Sequence, residues 1–146
     1  MKLYMDVCSY NRPFDDLSQD RVYFEAEAVL SILERCKNGE WVLATSAIVE
    51  IENSRQKDLE RLEKVQMLYQ SAQEYYELTE SAKSRAIYFQ QNGVKLFDSY
   101  HLAVSEENRV DVLLTTDDRF LKAAKRMKLN IKIETPIKWL IEEENK

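Results

Sequence analysis

Val110-Asp111-Val112-Leu113-Leu114-Thr115-Thr116-Asp117-Asp118-Arg119-Phe120 is the stretch that decides how this chain is read. The segment from Val110 to Thr115 has the apolar character of a buried strand. Two acids follow, and then Phe120, Leu121, Ala124 and Met127 recur at helical spacing. A strand that runs through acids into a helix is one βα unit, and the same pattern continues in both directions. Downstream, Ile131-Lys132-Ile133 reads as a last short strand, and Thr135-Pro136 as cap and first helical position before Trp139 and Leu140. Upstream, Asp98 opens a helix that runs to about Asn108. Before it, Thr79 starts one carrying Ala82, Ala86 and Phe89, stopped by Asn92-Gly93.

Further towards the N-terminus, Leu59, Leu62, Val65, Leu68 and Ala72 share one helical face. Trp41–Ala44 is a short apolar run suited to a strand, and Thr45-Ser46 can cap a helix beginning near Ala47. Val22, Ala26, Val29, Leu30, Leu33 and Cys36 mark an earlier helix closed by Asn38-Gly39. Asn11 to Asp16 reads as a loop, with Pro13 biasing Arg12 away from helix. Lys2 to Asp6 reads as the first strand, Leu3 and Met5 alternating with polar neighbours. Strands alternating with helices from end to end predict one α/β domain over residues 1–146. Its central parallel sheet would have four or five strands with helices on its faces, and about half the chain would be helical.

Composition agrees. The 146 residues suit one domain, and 45% hydrophobic with 32% charged is an ordinary globular balance. Two Gly and two Pro argue against a turn-rich all-β fold. No apolar run approaches the roughly 18 residues that span a bilayer. The opening MKLYMDVCSY lacks the apolar core and cleavage site of a signal peptide, which predicts a cytoplasmic protein. Cys8 and Cys36 make neither a disulfide framework nor a metal spacing and are expected to be free thiols. A net charge of −5 is, taken whole, unlike a nucleic-acid-binding chain.

In an open α/β sheet, ligands bind outside the carboxyl ends of the strands. Acids stand there in this chain. Asp6 ends the first strand, and no capped helix is read directly after it, so it needs a partner. Asp117 and Asp118 follow the strand Val110–Thr115, where either alone would be read as a helix cap. Glu50 and Glu52 lie in the first turns after Trp41–Ala44. Asp98 sits in Lys95-Leu96-Phe97-Asp98-Ser99-Tyr100-His101-Leu102-Ala103, an acid in an apolar segment at a helix start. Carboxylates gathered at one sheet edge repel one another, a cost that a bound cation removes. Oxygen-only donors suit Mg²⁺ or Mn²⁺ rather than zinc, and the single His and two separated Cys offer no zinc pattern. A hard dication held by carboxylates is common equipment for phosphoester hydrolysis. His101 lies one turn from Asp98 and shares its face. Arg12, Arg119 and Lys122 are nearby bases that could bind phosphate. As single residues, His101 reads first as a packing group and the three bases as ordinary surface charges.

Four segments in this order and spacing resemble the PIN-domain ribonucleases, which include the VapC-type toxins of toxin–antitoxin pairs. They are Leu3-Tyr4-Met5-Asp6, Ser46-Ala47-Ile48-Val49-Glu50-Ile51-Glu52, Phe97 to Ala103, and Leu114 to Phe120. The resemblance spans nearly the whole chain and implies a PIN-like three-layer α/β/α fold. It also implies a Mg²⁺- or Mn²⁺-dependent endoribonuclease leaving 5′-phosphate and 3′-hydroxyl ends. Asp6, Asp98 and Asp117 match the family's metal-binding acids, and either Glu50 or Glu52 the remaining one, with ungapped spacing favouring Glu52. Residues two apart on a helix point about 200° apart, so the two glutamates cannot share that role. The same resemblance implies a homodimer through the amphipathic helices near 20–36 and 56–72, and an antitoxin protein that occludes the cleft. Val7 and Cys8 stand where the family often has Thr and then Ser or Asn, and Arg119 where many members have a further acid. Setting the four ligands aside leaves a net charge of −1, so −5 does not exclude a nuclease, although salt-sensitive affinity for RNA should be weak.

Two other readings compete. A phosphatase of the haloacid-dehalogenase type needs Asp-x-Asp after the first strand, and Asp6-Val7-Cys8 lacks the second acid. A non-catalytic interaction module on the same fold would have no need to bind the ion.

Overall fold

The computed structural model describes residues 1–146. Five short parallel strands form one sheet: β1 (Lys2–Met5), β2 (Val42–Ser46), β3 (Glu74–Tyr76), β4 (Val112–Leu114) and β5 (Lys132–Glu134), in the order β3-β2-β1-β4-β5. Eight helices connect and flank them: α1 (Val7–Asn11), α2 (Asp20–Lys37), α3 (Ala47–Ser54), α4 (Leu59–Tyr69), α5 (Glu80–Gln91), α6 (Leu96–Glu107), α7 (Asp118–Arg126) and α8 (Pro136–Glu144). The α/β class, the parallel sheet and the five strands agree with the sequence reading.

β1 lies at the centre. Leu3 is in register with Leu43 of β2 and with Val112 of β4, and Leu3, Tyr4 and Met5 are fully buried. Strands buried on both faces are apolar at nearly every position, so the alternation read for Lys2 to Asp6 does not mark an exposed face: Tyr4 is as buried as Leu3 and Met5. One core of 33 buried residues unites the sheet with the helices on it. Trp139 of α8 meets Trp41 ahead of β2, with ring centroids 4.8 Å apart, and fixes the C-terminus to that core.

Four features depart from the sequence reading. The chain after Asp6 is helical, as α1 and then a 3₁₀ turn at Arg12–Phe14, where a loop was expected from Asn11. β3 is an edge strand that the sequence did not announce: only Tyr76 of its three residues is buried, and backbone pairing of Ser46 with Tyr76 holds it. α6 starts at Leu96, so Asp98 lies inside its first turn instead of opening it. β2 extends through Ser46, whose hydroxyl caps α3 by accepting from the amides of Ile48 and Val49.

The chain builds β1, β2 and β3 in one direction, then crosses back to place β4 and β5 on the other side of β1. The order reverses between β1 and β4, and the crevice outside the carboxyl ends of strands at such a reversal is where this class of sheet binds ligands.

Candidate metal and active site

Asp6 and Asp117 flank that crevice. Asp6 is 1% exposed and is the N-cap of α1, a helix the sequence did not reveal. One carboxylate oxygen accepts from the Ser9 amide at 3.0 Å and lies 3.0 Å from the Ser9 hydroxyl; the other accepts from Thr115 Oγ1 at 2.5 Å. Thr115 Oγ1 in turn accepts from the Asp117 amide at 3.0 Å, which ties the ends of β1 and β4 together. Burial raises the Asp6 pKa above the ordinary carboxylate value, against the opposing pull of the Thr115 and Ser9 hydrogen bonds. Asp117 caps α7, accepting from the amides of Arg119 and Phe120. Its reading as a cap is therefore correct, and it borders the crevice as well.

Asp98 is half-buried and its carboxylate makes no hydrogen bond that would mark it as a cap. Its pKa is pushed up to about 7. Burial is the largest cause, and Asp6, Asp117 and Glu52 add their repulsion. The Cys8 thiol is pushed up too, by burial and then by the charges of Asp6, Asp98, Glu52 and Asp117. All four acids therefore act on one small region, with Cys8 in its midst.

The two glutamates of α3 separate as helical geometry requires. Glu52 points into the crevice and its Oε1 lies 2.7 Å from His101 Nε2. Glu50 points outward and accepts from the Tyr75 hydroxyl of β3 at 2.5 Å. His101 is fully buried, so it cannot touch a substrate. Arg12 is also committed elsewhere, donating to Glu25 at 2.8 Å and Asp15 at 3.0 Å. Arg119 and Lys122 are exposed, and Arg119 borders a recess of about 90 Å³ with Lys95, Asp98 and Asp117.

A cleft of about 380 Å³ continues from Glu52 past Cys8 to Arg55 and Phe97. Arg55 forms no ion pair, and its guanidinium carbon lies 5.4 Å from the centre of the Phe97 ring. Sequence reasoning passed over Arg55 because a lone base after a helix carries no motif. A neighbouring cavity of about 390 Å³ is lined by Cys8, Asn11, Arg12, Arg61, Thr116 and Asp117 among others. The Thr116 hydroxyl, buried there, has no hydrogen-bond partner.

The donor set is oxygen-only and anionic, which fits a hard dication such as Mg²⁺ or Mn²⁺. No three acid, His or Cys side chains stand close enough together to form a finished metal-ligand set.

The profile of the PIN domain family matches residues 18–126, a span that begins after β1 and Asp6. A comparison with curated proteins gives no match. Among solved structures, the chain resembles the Rickettsia felis VapBC2 complex bound to a DNA fragment from its promoter. The TM-score is 0.58 at 18% identity, over 92% of this chain and 98% of that one. It also resembles Mycobacterium tuberculosis VapC20, a sarcin-ricin loop cleaving toxin. Here the TM-score is 0.56 at 14% identity, over 83% of this chain and 94% of that one. At those identities the likeness is one of fold, and together with the family match it leads to one conclusion: the chain belongs to the PIN domain family.

Proposed function

We propose that this protein is a Mg²⁺- or Mn²⁺-dependent endoribonuclease and the toxin of a toxin–antitoxin pair. What supports the reading is that Asp98, half-buried beside the β1/β4 crevice, is pushed up to about 7 by burial and then by the charges of Asp6, Asp117 and Glu52. A protein tolerates such repulsion where a cation neutralises it. These four residues would hold the ion, which supplies the Lewis acidity that phosphodiester hydrolysis needs.

The chain's own residues do the rest. Ser9 and Thr115 hold Asp6 in place through three donors, and Thr115 couples it to Asp117. Arg55 offers an unpaired guanidinium along the cleft, suited to a backbone phosphate beside the scissile one. Arg119 and Lys95 offer charge on the opposite flank. With acids outnumbering bases, binding relies on the site itself rather than on a basic surface, in line with the net charge of −5. An antitoxin would act by covering this cleft in the cytoplasm. The apolar groove between α2 and α4, lined by Leu30, Leu33, Met67 and Leu68, is the surface for a second copy in a homodimer.

The test is digestion of mixed cellular RNA with and without Mg²⁺, followed by mapping of the ends. The expected result is metal-dependent cuts with 5′-phosphate and 3′-hydroxyl ends, absent from Asp98→Asn. Cutting that persists in EDTA overturns the reading. A protein that neither takes up Mn²⁺ nor cleaves any RNA would favour the non-catalytic interaction module.

A further inference from the structure

A chain of four buried or half-buried polar groups leaves the cap of α3 and returns to the same helix at Glu52. Ser46 Oγ lies 2.6 Å from the Tyr4 hydroxyl, which lies 2.6 Å from His101 Nδ1, and His101 Nε2 lies 2.7 Å from Glu52 Oε1. Ser46, Tyr4 and His101 are all fully buried. The chain joins three elements: β1 supplies Tyr4, α6 supplies His101, and α3 with its cap supplies both ends.

The direction of every hydrogen bond follows from the first. Ser46 Oγ already accepts the amide protons of Ile48 at 3.2 Å and Val49 at 3.3 Å, which occupy its two lone pairs. Its own hydrogen must therefore point to Tyr4. The Tyr4 oxygen accepts it and donates its hydrogen to His101 Nδ1. Nδ1 is then bare, and the ring hydrogen sits on Nε2, aimed at Glu52. A proton on Nδ1 would turn the Tyr4 hydrogen back to Ser46, where no lone pair is left. Burial keeps the Tyr4 phenol protonated, as the chain requires.

We infer that His101 is a positioning residue, fixed by Ser46 and Tyr4 as the Nε2–H tautomer so that it holds Glu52 by Oε1 and leaves Oε2 free in the crevice for the cation. The second half rests on the reading of Glu52 as a metal ligand. Imidazole and carboxylate here exchange their usual places around a metal: the carboxylate meets the ion and the imidazole orients it from behind. Helical geometry puts Glu52 on the inward face of α3 with Ile48, Val49 and Asn53, and His101 then fixes which of its oxygens is engaged.

His101 is the only histidine, so its ring nitrogens can be observed without assignment in a long-range ¹H–¹⁵N correlation spectrum of the intact metal-free protein. The expected spectrum shows one tautomer, with Nε2 protonated and Nδ1 bare. A proton on Nδ1, or exchange between tautomers, overturns the assignment. Mn²⁺ calorimetry tests the second half. His101→Gln keeps a donor within reach of Glu52 and should bind Mn²⁺ close to wild type, whereas His101→Leu should bind roughly 10- to 100-fold more weakly. A folded His101→Leu with wild-type affinity overturns the positioning role. If that variant fails to fold, Tyr4→Phe removes only the hydroxyl: it should move the Nδ1 resonance and weaken Mn²⁺ binding, and an unmoved resonance overturns the direction of the chain. A wild-type protein that takes up no Mn²⁺ overturns the metal reading and Glu52's role, and is distinguishable because the tautomer is read without metal.

Discussion

Replacing Asp98 by Asn should stabilise the metal-free protein, and the size of the effect depends on pH. Folding raises the Asp98 pKa from 3.8 to about 7. Between those values the folded state binds more protons than the unfolded one, so stability falls as pH rises. The favourable contribution of the neutral carboxyl is complete below about 4 and lost once pH has passed through 7. A shift of roughly three units corresponds to about 4 kcal/mol at full ionisation. Asn has nearly the same shape and no charge, so Asp98→Asn recovers up to this amount at pH 8.5 and almost none at pH 4. For a domain of this size the gain is on the order of 10 °C in Tm. Saturating Mn²⁺ reverses the order, because an ion that binds only the folded state stabilises wild type by mass action. Thermal melts at the two pH values, in EDTA and in Mn²⁺, read all four conditions. An Asp98→Asn protein that melts below wild type at pH 8.5 in EDTA would falsify the picture of Asp98 as a group held in place against its neighbours' charge.

Asp117 has two roles that different substitutions separate. Asp117→Asn keeps the cap on α7 and should lose Mn²⁺ affinity at wild-type stability, whereas Asp117→Ala should also lose about 1 kcal/mol in a urea melt. Thr115→Val removes the donor to Asp6 and the acceptor for the Asp117 amide, and should cost roughly 1–3 kcal/mol while weakening Mn²⁺ binding. Arg55→Ala should slow RNA cleavage and leave Mn²⁺ affinity unchanged; equal losses in both would place Arg55 at the ion instead of along the RNA. Trp139→Ala, far from the crevice, should cost about 3–5 kcal/mol through the lost contact with Trp41 and leave the Mn²⁺ affinity of the folded fraction intact.

Much of this architecture could be read from short apolar runs that end in acids. Val112–Leu114 and Leu3–Met5 are buried on both faces, so their sequences have little freedom, and Asp6 and Asp117 stand out directly after them. α1 was hidden because its five residues are too few to show a period; the cap from Asp6 and the burial of Ser9 and Tyr10 hold it. β3 was hidden for a related reason, since an edge strand of three residues is held by its neighbour's backbone more than by its own side chains. The start of α6 was misplaced by two residues because Lys95, its N-cap, makes no side-chain capping bond. The surroundings of His101 could not be read at all: Tyr4 and Glu52 reach it from 97 and 49 residues away, and such a meeting is a property of the fold. Spacing favoured Glu52 over Glu50, but that Glu50 meets the Tyr75 hydroxyl of β3 could not be read, since β3 itself was hidden.

The central claim is that Asp6, Glu52, Asp98 and Asp117 together bind one divalent ion, and Mn²⁺ titration calorimetry of the metal-free protein tests it most directly. Saturable binding is expected for wild type and for Glu50→Gln. It should be weakened at least tenfold in Glu52→Gln, Asp98→Asn and Asp117→Asn, the size of loss common at metal sites. Binding that survives Asp98→Asn unchanged, or that is lost in Glu50→Gln but kept in Glu52→Gln, would contradict the account.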